Sequence, residues 1–136
     1  MIACPACGAK NRIPNAASGI PQCGKCKAKL PWIIDADDSS FPADTTTPLL
    51  VLVDLWAPWC GPCRMVAPVL ASLAQRFAGR IKVVKVNVDQ NPRLAQQFNA
   101  SSIPMLVFLK GGQSVDTMVG AHPEPALATR IEQLLR

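Results

Sequence analysis

The stretch Trp56 to Cys63, WAPWCGPC, restricts what this chain can fold into more than any other part of it. Before it runs Leu49 to Leu55 (LLVLVDL), a Val- and Leu-rich run of the kind that forms a buried strand. After it, Val66, Leu70, Leu73 and Phe77 recur at helical spacing. Two cysteines therefore stand where a strand hands over to a helix. There Cys60 becomes the helix cap and Gly61 lets the backbone turn. Pro62 occupies the first turn, where its missing N–H costs nothing, and Cys63 lies one turn further in. The unpaired N–H groups and partial positive charge of a helix N-terminus favour a thiolate on Cys60, while Cys63 is expected deeper and less able to ionise. One thiol is set to attack and the other to resolve. A bare CxxC could equally be half of a metal site, so the flanking strand and helix carry this reading.

A length of 136 residues gives room for one ordinary domain and a small appendage. With 49% hydrophobic and 17% charged residues the chain can bury a core. No apolar run reaches the ~20 residues that span a bilayer. The opening residues, MIACPACGAK, have neither a basic nor an apolar signal region, so a cytoplasmic protein is expected. In that compartment the six cysteines point to metal binding and catalysis rather than to structural disulfides. The net charge of +5 lies wholly in residues 1–30, which carry Lys10, Arg12, Lys25, Lys27 and Lys29 with no Asp or Glu. Four thiolates around one divalent ion would leave two negative charges for those lysines to balance. No aromatic residue precedes Trp32, which argues against base stacking and so against a nucleic-acid partner.

Cys4 and Cys7 form one CxxC, and Cys23 and Cys26 a second, with fifteen residues between them. That is the spacing of a tetrathiolate zinc site. Each pair, with Gly8 or Gly24 beside it, can turn as a tight knuckle whose sulfurs aim at one ion. A closed shell of four sulfurs leaves no open coordination position, so the site is structural or regulatory rather than catalytic. The segment is too short to hold itself together, and metal binding would supply its folding energy. Two disulfides, four free thiols, or iron in the same sulfur shell are the alternatives that spacing alone leaves open.

Further along, Leu30 to Ala36 reads as a strand, and Asp37 to Pro48 (DDSSFPADTTTP) as a polar stretch with room for little more than a turn of helix around Phe41. That leaves one sheet face thinly covered unless the cysteine-rich segment fills the gap. Ile81 to Asp89 alternates as a strand, Asn91 and Pro92 open a short helix, and Met105 to Val119 folds as a hairpin about Gly111 and Gly112. Glu124 to Leu135 closes the chain as a helix. Asp54 is an acid inside an apolar strand: at an edge or as a strand-end cap it would be a structural residue, whereas buried near the dithiol it would have a raised pKa suited to proton transfer. His122, the single histidine, lies in a Pro-flanked loop (AHPEP) and reads as a solvated loop residue.

From about Trp32 onward the chain resembles the thioredoxins, on VDLWAPWCGPCRMVAP, KVNVDQNP, SIPML, the FLKGGQ hairpin and the VGA before the last helix. The four cysteines ahead of it narrow the resemblance to the zinc-bearing second thioredoxins of bacteria. The resemblance implies an α/β thioredoxin fold, a central mixed sheet flanked by helices with its first helix truncated. It places a zinc ribbon at 1–30 and the thioredoxin domain at 31–136. It implies Cys60 and Cys63 as the redox pair, with Asp54 and Lys85 as their catalytic neighbours. Trp59, Gly61, Pro62, Ile103, Pro104 and Gly120 fall on substrate-binding positions, with Pro104 in the cis form. Met105 departs from the family's frequent Thr, which bears on substrate preference. Cys4, Cys7, Cys23 and Cys26 fall on the ligands of one zinc, with no organic cofactor. The implied activity is reduction of disulfides in client proteins by a monomer that a thioredoxin reductase recycles. Rival readings are an isomerase or oxidase, and a zinc-dependent binding or sensor module switched by the redox domain.

Overall fold

The computed structural model describes residues 1–17 and 19–136. In chain order the elements are β1 (Ile2–Ala3), β2 (Lys10–Asn11), β3 (Ile33–Asp35), α1 (Phe41–Asp44), β4 (Leu50–Trp56), α2 (Gly61–Arg76), β5 (Ile81–Asn87), α3 (Pro92–Gln97), β6 (Met105–Lys110), β7 (Gln113–Val119) and α4 (Glu124–Leu134). The main sheet runs β3-β5-β4-β6-β7. Its first three strands are parallel and the last two antiparallel, which makes it the mixed sheet that the resemblance implied.

β4 sits at the centre and is buried on both faces, so its sequence is a near-continuous apolar run. Leu50 and Leu52 face the layer of α2 and α4 with Val66, Leu70, Phe77, Leu127 and Ile131. Val51, Val53 and Leu55 face the opposite layer with Trp32, Phe41, Val84, Val86 and Leu94. By the same alternation Asp54 lies on the α2 side, two residues before the strand ends. Helix α2 runs without a break through Pro68.

α1 is a single turn of four residues, with Pro42 in its first turn. The face it leaves open is covered by the loop between the two cysteine pairs: Ile13, Ala17 and Ile20 pack into the layer of Trp32 and Phe41. Two buried hydrogen-bond donors fasten that loop. Trp32 Nε1 donates to the Pro14 carbonyl at 3.0 Å, and Lys82 Nζ donates to the Asn15 carbonyl. Leu30, fully buried, plugs the cysteine-rich segment's own small cluster with Cys4 and Cys23.

A second contact holds the segment from the other side. After α2 the chain turns at Gly79 with φ of +85°, and a Cβ there would lie 2.8 Å from Lys29 Cγ. Gly79→Ala should therefore lower stability by more than the ~1–2 kcal/mol that a left-handed backbone alone costs an L-residue, because the methyl must also displace the Lys29 stem. Urea denaturation of the two proteins measures it. A drop no larger than that backbone cost would mean that the two parts are not in close contact there.

Candidate active site and metal centre

Cys60 caps α2 in extended backbone (φ −86°, ψ 108°), and the Cys63 N–H donates to its sulfur at 3.2 Å. The two cysteines are joined as a disulfide with their Cα atoms 5.3 Å apart. Depth does not distinguish them in this form, since Cys60 is 5% and Cys63 4% exposed. The expected difference lies in hydrogen bonding instead: the sulfur that receives a helix N–H is that of Cys60, and such a donor stabilises a thiolate.

Of the other residues singled out from the sequence, Ile103 is in contact with this pair. Ile103 packs against both cysteines, and its carbonyl lies 3.8 Å from Cys60 Sγ. The Ile103–Pro104 peptide is cis, and the Gly120 N–H donates to the Pro104 carbonyl at 2.8 Å. Gly61 and Pro62 are exposed on the helix start, and Trp59 beside them is 66% exposed. The Trp59 indole N–H donates to Asp89 Oδ2 at 2.9 Å, a tether that sequence periodicity gave no sign of. His122 lies apart from the thiols in the loop after β7, where its Nε2 contacts the Val119 carbonyl at 2.9 Å.

In β4, on the face turned to α2, Asp54 is 1% exposed, and among the described residues its Oδ1 has no hydrogen-bond partner. Burial pushes its carboxyl up to about 6, against the pull of the Lys85 ammonium. Lys85 stands opposite Asp54 in the β4–β5 register, with Nζ 5.1 Å from the Trp56 ring centre. Trp56 and Lys85 line a groove of about 500 Å³ together with Asn87 and Asp35, which keeps the lysine in contact with solvent. An acid near neutrality on the strand that leads to a dithiol can hold or take a proton at the pH where thiols exchange.

At the N-terminus the four sulfurs of Cys4, Cys7, Cys23 and Cys26 all lie within 4.8 Å of one another, and all four are free thiols. The shortest contacts cross between pairs, Cys4 to Cys26 at 3.6 Å and Cys7 to Cys23 at 3.5 Å. Four sulfurs at about 2.3 Å from one ion stand about 3.8 Å apart, so a set lying within 4.8 Å is close to the dimensions of a tetrahedral metal site. The two halves are built alike. Gly8 N–H donates to the Cys4 carbonyl and Lys27 N–H to the Cys23 carbonyl, while Cys4 and Cys23 donate to Ala9 and Ala28. Gly8 and Lys27 share a positive φ, of 78° and 67°. Asn11, which the sequence did not mark, braces the centre: its amide donates to Cys23 Sγ at 3.5 Å, and its Oδ1 accepts from Gly24 N–H at 2.9 Å. The Cys26 N–H, aided by Asn11, holds the Cys23 thiol down at about 5, in the thiolate form that a metal takes.

A cystine at a helix N-terminus, with a cis-proline loop against it and a buried carboxyl on the adjoining strand, defines a thiol-disulfide oxidoreductase. A profile of the thioredoxin family matches residues 32–133. A thioredoxin of Synechocystis sp. is 54% identical over 99 residues, 72% of this chain and 92% of the relative. One of Haemophilus influenzae is 52% identical over 101 residues, 74% of this chain and 92% of the relative. A chloroplastic M-type thioredoxin of Spinacia oleracea is 42% identical over 115 residues, 81% of this chain and 62% of the relative. The chain belongs to the thioredoxin family, and its activity is that of a protein-disulfide reductase.

The raised carboxyl of Asp54 has a definite sign for stability. The folded state holds this proton to about pH 6, against 3.8 for an ordinary Asp, so the favourable contribution is full below pH 3.8 and is lost as pH rises through 6. Asp54→Asn should therefore stabilise the oxidised protein at pH 7 by up to about 3 kcal/mol and much less at pH 4. Urea denaturation at the two pH values measures this. An equal gain at both would show that the carboxylate charge is not its source.

Proposed function

We propose that this chain is a cytoplasmic, monomeric reductase of client-protein disulfides, with residues 31–136 as the catalytic domain and residues 1–30 as a ribbon closed by one zinc ion. The observation that carries the redox half is the capped dithiol, Cys63 N–H on Cys60 Sγ, with Asp54 buried in the strand that leads to it. In the reduced protein the Cys60 thiolate attacks one sulfur of a client disulfide. A mixed disulfide forms and the other client sulfur leaves as a thiolate. Cys63 then loses its proton with the help of Asp54 and attacks Cys60 Sγ, and the second client sulfur leaves. The product is the Cys60–Cys63 disulfide, the form present here. Two electrons from a thioredoxin reductase return it to the dithiol. Lys85 sets the charge opposite Asp54 and so helps that carboxyl to release its proton. The client backbone lies along Ile103, Pro104 and Gly120, while Trp59, Gly61 and Pro62 form the surface beside the reacting sulfur.

The metal half rests on the sulfur tetrahedron of Cys4, Cys7, Cys23 and Cys26. Zinc suits four thiolates and brings no redox chemistry of its own. When bound it supplies folding energy to a segment too small to be stable alone. The fully reduced protein, prepared without chelator, should carry about one zinc per chain by metal analysis. A metal-free protein would remove the ribbon assignment and leave the redox reading intact.

For the dithiol, Cys63→Ser should accumulate a mixed disulfide with a model substrate, whereas Cys60→Ser should form none. Alkylation of the reduced protein at neutral pH, read by mass spectrometry, should label Cys60 before Cys63. Preferential labelling of Cys63 would show that the helix cap does not select the nucleophile.

A further inference from the structure

Lys82 is used by neither the redox chemistry nor the metal centre, although it is fully shielded from water. It lies in β5 with the facing of Val84 and Val86, so its stem crosses the apolar layer of Trp32 and Phe41. Its ammonium stands 3.9 Å from the Trp32 ring centre and donates to two main-chain carbonyls. One belongs to Asp44 in α1, at 2.5 Å, and the other to Asn15 in the loop between the cysteine pairs. Neighbouring bonds converge on the same loop: Trp32 Nε1 holds the Pro14 carbonyl, and the Asn15 amide holds the Asp35 carbonyl at 3.2 Å. The loop joins both knuckles of the metal centre, and Asn11, which braces Cys23, is only four residues from Asn15.

We propose that Lys82 is a positioning residue that couples the order of this loop, and through it the occupancy of the metal centre, to the stability of the catalytic domain. A buried ammonium must keep its acceptors, because an unpaired buried charge is among the most unfavourable features a core can hold. Asn15 supplies one of the two carbonyls, and it stays in place only while the loop does. Once the loop loosens, Lys82 is left with Asp44 and the Trp32 face, inside the layer that supports β4 and β5. The coupling is not a gain in stability for the domain alone. Burial draws the Lys82 ammonium down to about 8 against the attraction of Asp44, so carrying the charge costs the fold something even when its partners are present. An apolar chain of the same length should therefore be tolerated in the core while the tie to the loop is lost.

The metal arm of the test rests on the zinc reading above. The full reduced chain is compared zinc-loaded and chelator-stripped, as wild type and as Lys82→Met. Thermal unfolding and amide hydrogen exchange are followed together. In wild type, stripping should lower the melting midpoint by a few degrees and speed exchange in β4 and β5 by about tenfold, the scale of a lost charged hydrogen bond. In Lys82→Met both effects should shrink to less than half, although residues 1–12 exchange faster on stripping in both proteins. Equal effects in the two proteins, or none in wild type, would overturn the coupling. A chain that binds no zinc defeats the metal reading separately. The tie is then judged in the protein as isolated, where Lys82→Met must speed exchange of the Trp32 indole N–H, which the Pro14 carbonyl of the loop holds, about tenfold, and unchanged exchange rejects it. Lys82→Gln, which keeps a polar head but is too short to reach, is the second variant should Lys82→Met fail to fold.

Discussion

The extended backbone of Cys60, held between the last residues of β4 and the first turn of α2, is the constraint on which the active site depends. β4 is hydrogen-bonded on both edges and buried on both faces, so its end is among the most rigid points of the molecule. A helix that starts there presents its free N–H groups at a fixed place. The same strand carries Asp54 two residues before its end, and its antiparallel neighbour β6 begins at Met105, next to the cis-proline loop. Cys60, Asp54 and the cis-proline loop thus share one central ladder, and their spacing is that of the sheet.

Among the described residues Asp44, Asp54 and Lys82 are the buried acidic and basic side chains, and the last two lie on opposite faces of that ladder and behave differently. Asp54 lies on the α2 side, keeps an unpartnered oxygen and titrates near neutrality, as suits a group that moves protons. Lys82 lies on the other side with both carbonyl partners and an aromatic face already in place. A charge whose partners are fixed in advance serves to hold elements together. One whose partners are incomplete is available for chemistry.

Most of the frame was legible in the sequence. The handover at WAPWCGPC, the strand–helix order, the truncated α1 around Phe41 and the four-sulfur cluster all follow from local spacing, and local spacing is what these features depend on. The gap left by α1 was foreseeable, and so was the segment that fills it. The means of filling it were not. Alternation places Lys82 beside Val84 and Val86 on the covered face, but no pattern indicates that its partners are the main chain of Asn15 and Asp44. Asn11 as a brace, Asp89 as the tether of Trp59 and the matched positive φ of Gly8 and Lys27 are likewise tertiary or backbone facts. The expected depth of Cys63 failed for a related reason. A disulfide draws both sulfurs to one level, and what separates them is the donor that each one meets.

The contact between Lys82 and Asn15 spans 67 residues, which sets an order of events as the chain is made. The knuckles can close on an ion once Cys26 has emerged from the ribosome, whereas the loop's docking partner is synthesised much later. At ordinary elongation rates that interval is on the order of several seconds. During it, the bound metal alone would keep the N-terminal thiols from reacting with one another or with other nascent chains. On the reading of this cluster as a metal centre, the order of synthesis would make metal capture the first folding decision, taken before the sheet that later confines the loop exists.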